Sequence, residues 1–301
     1  MTVLDWLLDS DPAIRWQVMQ DLTHEPPNVV AKERAKVAKE GWGARLLSLQ
    51  GPDGQWGGGT YFPAWTSTTY TLLVLRHMGL DPESAEARRA IALVRDNARW
   101  EHEGEPYFSG EVEPCINGAA VQIGSYFGQD VTSIVNRLLS EQLSDGGWNC
   151  EAERGSTRSS FDTTIDVLEG LLEFEHATGR SNEVSQARQR AEEYMLQRHL
   201  FRRLSTGEVA EPRWLHFFFP PRYFYDVLRG LDYLRSANIR PDERCAEAID
   251  VVEQRRGADG RWLIEHTYPG DVHFAIDDGV GKPSRWNTLR AMRVLEWYGR
   301  R

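Results

Sequence analysis

The chain has 301 residues, 41% hydrophobic and 27% charged, with a formal net charge of −10. That size fits one or two soluble globular domains, and the acidic surplus repels polyanions, which argues against nucleic acid as a partner. No apolar run reaches about 18 residues, MTVLDWLLDSDPAIRW lacks the features of a signal peptide, and three scattered cysteines make no disulfide framework; we therefore expect no integral membrane segment and a reducing, cytoplasmic setting.

Taken in chain order, the apolar period is helical, at i, i+3, i+4 and i+7, and strand-like alternation is confined to short pieces. After a short LDWLL helix, two classes of segment alternate. The charged class comprises residues 31–50, 83–98, 131–142, 183–198 and 242–256. The smaller or more apolar class comprises 13–22, 64–79, 115–128, 161–179, 222–237 and 284–299. About twelve helices in two classes suit a closed double ring, the charged class facing solvent and the other lining the inside.

Between helices one grammar recurs. LLSLQGPDGQWGGG, LLSEQLSDGGWNC and VVEQRRGADGRWLIE each end a helix near Gln, turn through Gly54, Gly146 or Gly260, and reach a Trp. EHEGEPYF and RLSTGEV, between them, read as degraded copies, which gives a repeat of about 40 to 60 residues.

This pattern resembles the Gln-Trp repeats of the terpenoid (squalene) cyclase superfamily, whose α/α toroid is shared with protein prenyltransferase β subunits. The resemblance covers about residues 12 to 298 and implies one all-α toroid domain over 1–301, built of about six helical hairpins. The Gln and Trp are then expected to be structural, tying outer helix ends together.

Helix N-termini of the inner ring would aim unpaired N–H groups at the cavity, so chemistry is expected in the first turns of the inner helices. Aromatic residues gather there: Trp65, Phe161, Tyr223, Phe224 and Trp286. We expect Trp65, Phe161, Tyr223, Arg285 and Trp286 to shape a pocket for a small apolar or isoprenoid-like molecule, the rings also serving, in the cyclase manner, to stabilise positive charge. The D-x-D-D acid of squalene cyclases is absent, and its nearest imitations are Asp277-Asp278 and the Asp162–Asp166 pair of FDTTID. Four apart on a helix, Asp162 and Asp166 share a face, and Asp162 could act as an acid or as a helix cap.

The prenyltransferase β subunit holds zinc with an Asp-x-Cys at one inner helix and an aromatic-His-Thr at the next. Here Glu113-Pro114-Cys115 and Phe161-Asp162-Thr163 occupy the matching places, and the resemblance thus implies Glu113, Cys115 and Asp162 as ligands of Zn2+ or another divalent metal. Cys150, two residues beyond the intervening turn Trp, is placed to join them, while Cys245 reads as core filler. His273 is a further possible ligand. The family's cationic cradle for diphosphate is missing, since EHEGEPYFSGEVEPC holds no Lys or Arg. Arg154, Arg158, Arg222, Lys282 and Arg285 are the other candidates for an anion contact, with Arg222 the catalytic choice beside Asp162.

Three functions fit: a metal-dependent enzyme acting on a small, largely apolar molecule; a metal-free cyclase or isomerase with Asp162 as acid; and a binding toroid without chemistry. The metal-dependent enzyme is the expectation we carry forward; it requires no helical partner subunit, though one is compatible with it.

Overall fold

The structure is a computed structural model, and residues 2–300 are described. Among the described residues the regular structure is α-helix and short 3-10 turns, with β pairing limited to isolated bridges, so the all-α expectation holds. No described helix is long and apolar enough to cross a membrane. The chain groups into two compact units where the sequence suggested one domain.

One unit comprises Arg45–Tyr194 with Gly270–His273. It holds most of α4 to α10: α4 (Gly41–Ser48), α5 (Thr68–His77), α6 (Ala85–Asn97), α7 (Pro114–Tyr126), α8 (Thr132–Ser140), α9 (Phe161–Thr178) and α10 (Asn182–Leu196). The apolar helices α5, α7 and α9 are neighbours, and α7 packs along α9. Two glycines allow that approach. A Cβ on Gly118 would stand 2.6 Å from the Asp166 carbonyl carbon, and one on Gly170 would stand 2.5 Å from the Gly118 oxygen. Backbones this close fix the rotation of α7 and α9 about their axes, and with it the side chains that meet.

The other unit contains α1 (Val3–Leu8), α2 (Pro12–Asp21), α3 (Pro27–Arg34), α11 (Val227–Ser236), α12 (Ala246–Gln254) and α13 (Arg285–Tyr298). Here α13 packs on α2, α11 and α12. The segment expected to be helical from 222 starts instead at Val227, because Asp226 caps it, its Oδ1 accepting from the Arg229 N–H at 2.7 Å, while Arg222 takes φ +56°. Arg222 and Tyr223 therefore lie in the preceding loop. Likewise the segment 31–50 is broken, since Gly41, the first residue of α4 after a 3-10 turn at Ala35–Ala38, takes φ +64°.

The repeated Trp residues are structural, as expected. Trp56, Trp148 and Trp262 are at most 1% exposed. Each indole N–H donates at 2.7 Å to the carbonyl ten residues earlier, that of Leu46, Leu138 or Val252. Each backbone N–H donates to a threonine of the next apolar helix, Thr68, Thr164 or Thr288. The Gln50 amide bridges Gly54 O and Ala90 O, and Gln142 bridges Gly146 O and Ala187 O, tying one charged helix to the next. Gly146, at φ +103°, cannot carry a side chain, because a Cβ there would stand 2.5 Å from the Arg190 carbonyl oxygen. Burying an indole of roughly 150–250 Å² contributes about 4–6 kcal/mol at about 25 cal/mol per Å².

Candidate metal centre

Proline at the first position of α7 starts the helix directly after Glu113, its N-cap residue, and puts Cys115 in the first turn. Cys150 arrives from the loop after α8. Trp148, locked at both nitrogens, holds that loop, and Cys150 N–H donates to Thr163 Oγ1 at 3.4 Å. Thr163 belongs to the first turn of α9, where the cap Ser160 accepts its N–H at 3.1 Å.

The result brings two thiols from positions 35 residues apart to an Sγ–Sγ distance of 2.7 Å. Glu113 Oε2 is 3.6 Å from Cys115 Sγ, and Thr163 Oγ1 is 3.4 Å from Cys150 Sγ. Ligand atoms of Glu113, Cys115 and Cys150 all lie within 4.8 Å of one another. Glu113 is exposed and both cysteines are half-buried, so the cluster is open to solvent on one side.

Its electrostatics separate the two thiols. The hydrogen bond with Cys150 and burial push the Cys115 thiol well above its ordinary range, and the negative charges of Asp166 and Glu113 add to this. The same bond to Cys115 lowers the Cys150 thiol against the opposing effect of burial, with Thr163 assisting. The pair thus favours deprotonation at Cys150 over Cys115, and a cation between the sulfurs would ease the second deprotonation.

Two tyrosines stand beside this cluster. Tyr70 donates to the Tyr61 hydroxyl at 2.7 Å. Burial raises both phenols, and the charges of Cys115 and Asp166 add to this at each. Trp65 sets its edge on Tyr70 at 4.9 Å between ring centroids.

Of the residues expected from sequence, Glu113, Cys115 and Cys150 come together. Asp162 is half-buried in the first turn of α9 and lies outside that group. It is Asp166, one turn further on and buried, whose charge reaches Cys115 and the tyrosines. Phe161 is buried against Tyr194. His273 meets Thr71 at 3.0 Å rather than the cysteines. Arg154 is tied to Glu151 at 3.0 Å, and the Arg158 carbonyl accepts from Asn149.

The remaining expected residues belong to the other unit. Trp286, 2% exposed, is stacked on Phe219 at 4.2 Å and faces Trp42 at 6.3 Å, a packed core position. Arg285 donates to the Trp6 and Asp9 carbonyls and lies over the Trp6 ring, which commits it to α1. Tyr223 is exposed against Phe224, beside Arg222. Lys282 accepts at its carbonyl from the Ile264 N–H.

Sequence reasoning missed Tyr61 and Tyr70. The only signal was their place in TYFPAWTSTTY, around the start of an apolar helix. No family model and no curated protein matches the chain.

Proposed function

We propose that the protein is a metal-dependent enzyme with the α/α-toroid architecture of the terpenoid cyclases and prenyltransferase β subunits. Its metal is held by Cys115, Cys150 and Glu113, and its substrate is a small, largely apolar molecule. The observation that carries this reading is the convergence of those three side chains, from the start of α7 and a distant loop, into one solvent-open group whose donor atoms all lie within 4.8 Å of one another.

The donor set fits a divalent ion, and zinc best. Two thiolates and a carboxylate supply three ligands, and three protein ligands with an open position are the pattern of catalytic rather than structural zinc. Two sulfurs sharing one zinc at about 2.3 Å each would stand farther apart than the 2.7 Å seen here, so binding would require the two cysteine side chains to rotate apart. When bound, the ion supplies Lewis acidity at the open position.

The chain's own residues do the rest. Thr163 orients Cys150 through its hydroxyl. The Tyr70–Tyr61 pair supplies an O–H chain beside the cluster, kept protonated by burial. Arg137, which reaches the Glu111 and Val112 carbonyls ahead of Cys115, is spent on them and on Glu141 rather than on a diphosphate.

Elemental analysis of protein purified without chelator or affinity tag tests the reading, beside Cys115→Ala and Cys150→Ala. About one metal per chain, lost in both variants while helical content persists, is the expected result. Metal retained in either variant removes that cysteine from the site, and no uptake of zinc by the native chain defeats the proposal.

A further inference from the structure

We propose that Cys115 and Cys150 also form a reversible dithiol–disulfide couple, so that oxidation closes the site that takes up metal when reduced. The couple itself needs no metal; only its exclusion of metal rests on the reading above.

Two sulfurs held 2.7 Å apart need to close by about 0.7 Å to reach a disulfide bond length of about 2.05 Å. Neither sulfur arrives by chance flexibility. Cys115 is fixed in the first turn of α7, whose seat on α9 is set by Gly118 and Gly170, and Cys150 follows the locked Trp148 and binds Thr163 through its N–H. Both thiols are half-buried, within reach of a small oxidant, whereas Cys245 is fully buried. The chain therefore carries its own control.

With hydrogen peroxide as oxidant the chemistry balances. One sulfur, as thiolate, attacks the O–O bond, becoming a sulfenic acid and releasing water once the leaving oxygen takes a proton. The second sulfur attacks that sulfenic sulfur, the S–S bond forms, and hydroxide leaves as a second water. The pair loses two electrons and two protons, and hydrogen peroxide becomes two waters. A small dithiol reverses the step by exchange. A disulfide leaves neither sulfur free as a thiolate ligand, so metal and disulfide exclude each other.

The test uses the full chain, reduced and stripped by chelator, treated with a slight excess of hydrogen peroxide, then alkylated and mapped by mass spectrometry. We expect the loss of two hydrogen masses, alkylatable thiols falling from three to one, and a Cys115–Cys150 linked peptide pair that dithiothreitol separates, with Cys245 unchanged. In Cys115→Ala, Cys150 is expected to stop at, or pass beyond, the sulfenic acid with no intramolecular link. Sulfinic or sulfonic acid at either cysteine of the native chain without a link, or links only between chains, overturns the proposal.

A second arm adds zinc before peroxide and should slow linkage by about tenfold or more. If zinc fails to bind and the link still forms, the metal reading falls and the couple stands. If zinc binds and no link forms in the stripped protein, the couple falls alone. Zinc bound without protection overturns the exclusion.

Discussion

In the turn before α9, the Trp148 indole donates to Leu138 O at 2.7 Å and its backbone N–H to Thr164 at 3.1 Å. In the turn before α13, Trp262 does the same with Val252 O at 2.7 Å and Thr288 at 3.0 Å. Two residues further on, the turns part. The first places Cys150, half-exposed, beside Cys115; the second places Ile264, buried, with its N–H on Lys282 O. The same frame thus carries a half-exposed thiol in one unit and a core side chain in the other. The candidate metal centre draws on a position that the staple fixes in space and does not itself use.

That contrast breaks most visibly if the two positions are exchanged in role. Cys150→Ala should abolish metal binding with little change in stability. Ile264→Ala should cost about 2–5 kcal/mol and leave metal binding intact. Metal titration and urea unfolding of both variants decide this. Trp148→Ala and Trp262→Ala should each cost about 3–5 kcal/mol, since both indoles are buried alike, but only Trp148→Ala should also weaken the metal site. Equal metal affinity in the two would mean that Cys150 is placed by something other than its staple.

Gly118→Ala should cost about 1–3 kcal/mol and lower metal affinity, because a methyl there forces α7 from α9. A pH effect of comparable size is expected in the unit that holds α13. Burial pushes Asp226 up to about 6, although Arg290 and Arg229 oppose it. A carboxyl raised in the folded chain contributes its stabilisation fully below the unfolded value of about 3.9 and loses it as pH rises through about 6. Unfolding free energy should therefore decline between about pH 4 and 6, and decline less in Asp226→Asn, as urea unfolding at a series of pH values would record. Thr288→Val, which removes one hydrogen bond to the Trp262 backbone, should cost about 1 kcal/mol, and Thr164→Val, which removes two to the Trp148 backbone, about 1–2 kcal/mol.

The helices and the staples were legible because both are local. Apolar periodicity marks a helix wherever it packs, and Gln, turn, Gly, Trp within a dozen residues encodes its own hydrogen bonds. The meeting of Glu113, Cys115 and Cys150 was legible for a related reason: each lies within two residues of a helix start or a staple, whose position the repeat dictates. The other parts of the site were not. Asp162 and Asp166 lie on one face of α9, and which of them reaches Cys115 depends on the axial offset set by Gly118 against Gly170, a long-range contact that no periodicity reports. Tyr61 enters through the loop ahead of α5, whose path past Gly59 has no repeat signature, and Tyr70 joins it from the first turn of α5. Trp286 and Phe161 look like cavity rings in sequence, yet both are buried among other rings, since an aromatic at a helix start reads the same whether it faces a ligand or a neighbour.

Absorption spectroscopy of the reduced, stripped protein titrated with Co2+ tests the thiolate metal centre most directly. We expect intense sulfur-to-cobalt charge-transfer bands in the near ultraviolet with visible bands of a four-coordinate ion, saturating near one Co2+ per chain and weakened or lost in Cys115→Ala and Cys150→Ala. A native spectrum without charge-transfer bands, or one unchanged by both substitutions, would contradict it.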